Sequence, residues 1–193
     1  KWKYTSVRAI AYADFSHPQD LDPDTATDAA DLRRIAPWND DWMNLVFVDG
    51  RFSAVLSSAT GGATRNANGA RVTSLADAIR SDGELVQEHL GRHASVEDDG
   101  FTALNTAFLE DGAFIHVPEG QSTSSVVNLV YVTTGRSQPR ASYPRTLVVA
   151  GRNSRTTVVE SYIGLCQDEY FTDAVTEIVA QEGAHIEHYR LLM

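Results

Sequence analysis

From residue 113 onward, the chain is an almost unbroken succession of short segments with the composition of β-strands. Val, Ile, Thr and Tyr dominate these segments, and Gly, Pro, Asn and Ser separate them. Strands are predicted at 114–117, 126–132, 146–149, 156–163, 175–180 and 184–192. No stretch of helical periodicity interrupts this series, so this part of the chain is expected to be mainly β.

A weak internal repeat accompanies the predicted strands. Three tight polar turns with a small residue each lead into an alternating strand, namely Asp111-Gly112-Ala113, Arg152-Asn153-Ser154 and Glu182-Gly183-Ala184. They recur at intervals of roughly 30 to 40 residues, which suits one or more coils of a solenoid. A β-sandwich with irregular hairpins produces much the same pattern, so the periodicity leaves both architectures open.

The region before residue 113 mixes a hairpin with helices. A hairpin is predicted over 45–56, because Asp49-Gly50 between two apolar runs favours a type I′ turn. A short helix is predicted before Pro37, with Asp28 among its start signals. Residues 57–73, which include Gly61-Gly62, are expected to form a loop that lacks the Gly-Lys-Ser/Thr of a phosphate-binding loop.

Two further helices are predicted over about 75–111. Ser81 and Glu84 have the spacing of a capping box in front of the first, and Gly91 suits its C-terminal cap. The second is expected to run from Phe101 to Gly112.

Charge and cysteine content exclude several classes of protein. The single cysteine excludes an intramolecular disulfide framework and an all-cysteine metal site in one chain. The net charge of −10 argues against a nucleic-acid binder, which needs a basic surface. No apolar run approaches the ~18 residues of a membrane span, and no signal peptide opens the chain, so a cytoplasmic location is expected.

Two pairs of side chains are candidate metal ligands. His89 and His93 lie four residues apart, but Gly91 between them is expected to end the helix and turn His93 away from His89. His116 and Glu119 resemble part of a cupin metal motif, although the second closely spaced histidine is missing.

Three further side chains are weaker candidates for metal binding or catalysis. His185 and His188 fall on opposite faces of one predicted strand, so they are not expected to bind one ion together. Cys166 has no base near it in sequence, and the adjacent acid Asp168 disfavours a thiolate. No hydrolase elbow or zinc-protease motif is present. No catalytic, cofactor-binding or metal-binding residue is therefore assigned, and the chain is predicted not to be an enzyme.

Several stretches of the chain match one known family in order and spacing. Together they resemble the SufB/SufD family of iron–sulfur cluster assembly proteins. The matching stretches are Trp2-Lys-Tyr-Thr5, Leu45-Val-Phe-Val-Asp-Gly-Arg-Phe52, Phe101-Thr-Ala-Leu-Asn-Thr-Ala-Phe108, Asp111-Gly-Ala-Phe-Ile-His-Val-Pro-Glu-Gly120, Pro144-Arg-Thr-Leu-Val-Val-Ala-Gly151, Phe171-Thr-Asp-Ala-Val-Thr-Glu-Ile178 and Gly183-Ala-His-Ile-Glu-His-Tyr-Arg190.

Within that family the chain resembles SufD. The Trp2–Thr5 opening and the hairpin are SufD-like, and 158–164 lacks the cysteine that SufB-like chains carry there. The resemblance implies an N-terminal α/β region (1–112) followed by the first coils of a right-handed parallel β-helix (113–193). Under this resemblance, the segment around Glu119 is a coil corner turned by Pro118 and Gly120. It also implies a non-enzymatic scaffold subunit that works with SufB and the ATPase SufC.

The length of the chain affects these expectations. Family members are about twice this long, so we expect the chain to be an N-terminal portion without the part that docks SufC. No cluster ligand is carried over; an iron–sulfur cluster is expected only transiently in the full complex. An exposed last coil makes a homodimer possible. The alternative function is a metal-dependent enzyme of cupin type that uses His116, Glu119 and His185.

Overall fold

A computed structural model describes residues 6–16, 22–58, 63–65, 69–134, 139–165 and 169–193. The chain is mainly β, with mixed sheets and a few short helices. The helices are α1 Arg8–Tyr12, α2 Ala29–Ile35, α3 Leu75–Ser81, α4 Gly83–His89 and α5 Gly100–Ala107. The strands are β1 Met43–Val48, β2 Arg51–Ser53, β3 Ala63–Arg65, β4 Arg71–Ser74, β5 Gly112–Val117, β6 Val127–Thr133, β7 Arg140–Ser142, β8 Arg145–Ala150, β9 Arg155–Gly164, β10 Tyr170–Thr172, β11 Val175–Ala180 and β12 His185–Leu192.

The strands form two five-stranded sheets and one two-stranded sheet. The first large sheet has the order β12-β9-β6-β1-β2, and the second has the order β11-β8-β5-β4-β3. In both, the strands that come early in the chain pair antiparallel, whereas the later strands are parallel. The small sheet pairs β7 with β10 in parallel.

The parallel strands repeat at a nearly constant interval. In the second sheet, Gly112, Arg145 and Val175 occupy the same position in β5, β8 and β11, at separations of 33 and 30 residues. In the first sheet, Val127 pairs with Val158, and Val158 pairs with His188. From β5 onward the chain therefore visits the second, the first and the small sheet in turn, and from β8 onward each strand pairs with the preceding strand of its own sheet.

One part of the predicted repeat is wrong. Gly112 lies at the start of β5 beside Arg145, and it is not equivalent to Asn153 and Gly183. The equivalent turn residue is Gly120, because its N–H donates to the carbonyl of Arg152 and the N–H of Asn153 donates to the carbonyl of Glu182. Gly120, Asn153 and Gly183 all have positive φ angles, of 68°, 54° and 71°. A left-handed position thus recurs at each turn, which glycine and asparagine tolerate best.

The main hydrophobic core takes side chains from both large sheets. Leu45, Phe47 and Leu129 of the first sheet are fully buried with Ile115 and Val148 of the second. Burying each such side chain contributes about 1.5–3 kcal/mol before conformational entropy is subtracted. A stack of aromatic rings crosses this core: the Phe47 and Tyr131 centroids are 4.9 Å apart.

Two further clusters cover the outsides of the large sheets. Leu32 of α2 packs against Val46 and Val130 of the first sheet. Leu75 of α3 and Val86 of α4 pack against the outward side chains of the second sheet, including Leu147. The apolar sides of α2, α3 and α4 therefore cover the outer faces of the two large sheets.

Several predictions that rested on local turn, cap and strand chemistry are confirmed. The hairpin forms between β1 and β2, with Asp49 and Gly50 at φ 48° and 88°, as a type I′ turn requires. The predicted helix before Pro37 is α2, and the Asp28 carboxylate accepts the N–H groups of Ala30 and Asp31. The six predicted strands all form, within a few residues of their predicted bounds.

Several predictions for residues 57–112 are wrong. Ser81 does not cap α4, because it ends α3 and its hydroxyl donates to the carbonyl of Asp77. The second helix ends at Ala107, and Gly112 already belongs to β5. The predicted loop 57–73 contains strand residues, since β4 begins at Arg71 and pairs with β5. Gly61-Gly62 lies outside the described residues.

The predicted division at 112/113 stays a prediction. Both large sheets contain strands from each side of that boundary, because β1 pairs with β6 and β4 pairs with β5.

Candidate functional site: the outer strands

The candidate site is the pair of strands at one end of the large sheets, β11 and β12, here called the outer strands. Each pairs on one edge only among the described residues. Burial falls there: in contrast to β8, which is buried throughout, β12 is half-buried or exposed along its length. Ile178, Tyr189 and Leu192 are exposed apolar side chains on these strands. An outer strand of this kind offers main-chain groups and apolar side chains to another strand.

A buried carboxylate lies directly beneath the outer strands. Glu160 of β9 has no exposed surface. Its Oε2 accepts the Nε and Nη2 hydrogens of Arg190 at 3.2 and 3.1 Å, and its Oε1 accepts the Thr176 hydroxyl at 3.0 Å. His188 Nε2 lies 3.4 Å from Oε1. Both outer strands therefore supply polar partners to one buried charge.

The charge on Glu160 is stabilised by those partners. Burial alone raises the pKa of this carboxyl, but the nearby His188 imidazole and the charge of Arg190 bring the pKa below its ordinary value. The Arg190 guanidinium also lies over the ring of Tyr162, 5.6 Å from its centroid. Burial and the nearby Glu160 charge in turn raise the pKa of Tyr162, so this phenol stays protonated.

A second buried ion pair connects β11 to the helices. Arg145 donates to Glu177 through Nε at 3.0 Å and Nη2 at 2.7 Å, and both side chains are essentially unexposed. Arg145 Nη1 donates to the side-chain amide oxygen Oδ1 of Asn105 at 2.9 Å. The Glu177 carboxylate accepts the main-chain N–H groups of Gly91 and His93, both at 2.9 Å. Burial raises the pKa of Glu177, but these N–H groups and Arg145 bring it below its ordinary value.

A third carboxylate near the outer strands is less well compensated. Asp173 precedes β11 and is buried, and its Oδ2 has no hydrogen-bond partner among the described residues. Burial, with the charge of Asp99, raises the pKa of Asp173 from 3.8 to about 6. Asp173 and Asp99 line one cleft together with Arg190.

The structure separates the residues of the cupin alternative. His116 lies on β5 in the second sheet, half-buried and stacked 6.4 Å from Phe114. Glu119 is exposed in the turn that follows, as predicted for a corner, and His185 lies on β12 in the first sheet. Among the described residues, no group of three or more His, Cys, Asp or Glu side chains is placed to hold a metal ion.

The other histidine predictions have mixed outcomes. His185 and His188 do lie on opposite faces of their strand: His188 reaches buried Glu160, whereas His185 is exposed. The prediction that Gly91 separates His89 from His93 is wrong. Gly91 does follow the helix end with a φ of 73°, but the two rings lie 5.8 Å apart between centroids. Cys166 lies outside the described residues.

The buried charges Arg145, Glu160 and Glu177 were missed by the sequence reasoning. Each is a buried side chain in a strand otherwise rich in Val, Ile, Leu and Thr. A charge inside such a run is a usable signal, because it must find a partner when the strand is buried. The partner itself was not predictable, since Arg145 and Glu177 are 32 residues apart.

Two protein-family models match consecutive parts of the chain. Residues 1–129 match the sequence model described as "SufBD protein N-terminal region". Residues 130–192 match the one described as "SUF system FeS cluster assembly, SufBD core domain". The chain belongs to the SufBD family. The predicted family is thereby confirmed.

Individual relatives of this SufBD chain agree with that assignment. The SufBD family protein slr0076 of Synechocystis sp. is 28% identical over 201 residues, which cover 98% of this chain and 42% of the relative. The SufBD family protein ycf24 of Pyropia yezoensis is 30% identical over 74% of this chain and 29% of its own length. SufD of Bacillus subtilis is 31% identical over 56% of this chain and 24% of its own length. The chain thus spans less than half the length of these relatives.

The lengths and compositions of the helices bear on whether they could cross a membrane. None of the helices in the described part of this SufBD chain is both long and apolar enough to cross a bilayer.

Proposed function

We propose that this chain is part of a SufD-like scaffold subunit of the SUF system, which supports iron–sulfur cluster assembly and transfer together with SufB-like and SufC-like proteins. The observation that carries the proposal is the match to both the N-terminal and the core SufBD models across residues 1–192. The relative named SufD supports the choice within the family.

The proposed architecture of the later part is a right-handed parallel β-helix. Its support is the regular return of parallel strands in both large sheets and the recurring left-handed turn at Gly120, Asn153 and Gly183. In such a solenoid each coil is stabilised mainly by its neighbours. The outer strands then accept a further parallel strand, from the same polypeptide or from a partner subunit; a second copy of the chain is one such partner.

The proposed role is structural and not enzymatic, and its proposed location is the cytoplasm. Two buried carboxylates are engaged in ion pairs between strands: Glu160 binds Arg190, and Glu177 binds Arg145. No residue of this chain is proposed as a cluster ligand. The iron–sulfur cluster is cargo that the full complex holds transiently.

Co-purification tests the proposal. The tagged full-length protein, expressed with its SufB-like and SufC-like partners, should retain both through size-exclusion chromatography, with a matched tagged control protein retaining neither. A full-length protein that associates with neither partner overturns the scaffold function. Mass measurement of the protein alone checks the proposed homodimer.

The cupin alternative has its own test. Stoichiometric iron or zinc in the purified full-length protein, lost in His116→Ala, favours a metal-dependent enzyme over the scaffold. The separation of His116 and His185 into different sheets argues against that result.

A further inference from the structure

His89 and His93 come together although a helix end lies between them. His89 is the last residue of α4, and the chain then reverses through Gly91, whose φ is 73°. The two imidazole centroids are 5.8 Å apart, with 30° between the ring planes. His89 is half-buried and His93 is exposed. The pair is therefore open to solvent on one side.

This separation is compatible with the binding of both rings to one metal ion. Two imidazoles bound to one tetrahedral ion through Zn–N bonds of about 2.0–2.1 Å have centroids roughly 5–6 Å apart. The observed 5.8 Å lies inside that range. A carboxylate is also close, because Glu88 Oε1 lies 3.9 Å from His89 Nε2 on an exposed and adjustable side chain.

Hydrogen bonds to a buried side chain anchor the loop that carries His93. The buried Glu177 carboxylate accepts the N–H groups of Gly91, His93 and Ala94, at 2.9, 2.9 and 3.2 Å. Arg145 fixes that carboxylate in turn. Because hydrogen bonds already anchor the backbone of this loop, less conformational entropy is lost when an ion binds to the two rings.

We propose that His89 and His93 form a surface site for a divalent transition-metal ion of the Zn²⁺ type. Imidazole nitrogen is a preferred ligand of such ions. No third His, Cys, Asp or Glu joins the pair in a metal-binding arrangement among the described residues, so water completes the coordination, with Glu88 able to swing in. The site lies outside the outer strands and does not depend on the scaffold function.

Zinc titration of the full-length protein tests this site. Calorimetry with ZnCl₂ alone should show a site that is lost in both His89→Gln and His93→Gln. The matched control is His185→Gln, an exposed histidine on β12, which should retain the site. Circular dichroism melts verify that each variant is folded. Should His89→Gln fail to fold, the exposed His93→Gln decides alone.

Three outcomes contradict the proposal. They are the absence of zinc binding in the unsubstituted protein, binding that is unchanged in His93→Gln, and binding that is lost equally in His185→Gln. Zinc lost in His116→Ala but retained in His93→Gln would point instead to the cupin alternative. Partner co-purification is scored separately, so failure of the metal site leaves the scaffold proposal standing, and the converse also holds.

Discussion

At the level of single residues, three buried acids near the outer strands have different electrostatic surroundings. Glu160 and Glu177 each have an arginine within hydrogen-bond distance, and their pKa values are lowered. Asp173 has no arginine partner within the described part of the chain, and its pKa is raised to about 6. The first two therefore stabilise the fold when they are ionised, whereas ionisation of Asp173 opposes folding.

Asp173→Asn is expected to stabilise the chain at neutral and alkaline pH. Because its folded pKa is above the unfolded value of 3.8, the folded state binds the extra proton, and the free energy of unfolding falls as pH rises from about 4 to 6. Removing the charge should restore on the order of 1–3 kcal/mol at pH 8 and little at pH 4. Urea unfolding at both pH values measures this.

Asp41→Asn is the matched control for that experiment, because Asp41 is exposed and should show little change at either pH. Equal stability of Asp173→Asn and the unsubstituted chain at pH 8 would contradict the assignment of an opposing charge to Asp173.

At the level of secondary-structure elements, the close approach of two neighbouring backbones can require a glycine at a position where strand propensity does not indicate one. Gly112 begins β5, and a Cβ at this position would overlap the carbonyl oxygen of Arg145 on β8. The strand pairing of β5 with β8 therefore needs glycine at this point. Gly100, by contrast, begins α5, and no neighbouring atom of the residues that the structure describes lies within 4 Å of an added Cβ.

Gly112→Ala should therefore be strongly destabilising, by at least about 3 kcal/mol, because the backbones of β5 and β8 must separate. The same substitution at Gly100 should be neutral or stabilising by up to about 1 kcal/mol, since alanine favours a helix. Thermal melts of the two variants compare them directly. Similar melting temperatures for both variants would show that β5 and β8 do not approach as closely as described.

At the level of the whole molecule, one core joins the two large sheets. Leu129 of β6 is fully buried in the same cluster as Ile115 of β5 and Val148 of β8, so each sheet relies on the other for burial of its inward face. The helices contribute separate clusters on the outer faces. The two sheets should consequently unfold as one cooperative unit.

Leu129→Ala tests that cooperativity. Creating a cavity in the shared core should lower the free energy of unfolding by about 2–5 kcal/mol. Hydrogen exchange should accelerate in β8 and β11 as well as in β6 and β9, although Leu129 belongs only to the first sheet. The control is Ile79→Ala, an exposed position on α3, where little change is expected. Unchanged exchange in β8 and β11 would mean that the sheets unfold independently.

Local chemistry accounts for what could be predicted from the amino-acid order. Asp49-Gly50 specifies its own turn, Asp28 caps its own helix, and runs of β-branched residues mark the strands, because each of these preferences acts within a few residues. Family membership was equally accessible, since it depends on the order of many short stretches.

Contacts between distant segments account for the features that could not be predicted from the amino-acid order. The glycine requirement at Gly112 arises from Arg145, the burial of Glu160 is compensated by Arg190, and the approach of His93 to His89 depends on Glu177. None of these partners lies within 25 residues of the group it affects. Propensity and periodicity describe only neighbours along the chain, whereas burial, charge pairing and backbone approach depend on which segments the sheets bring side by side.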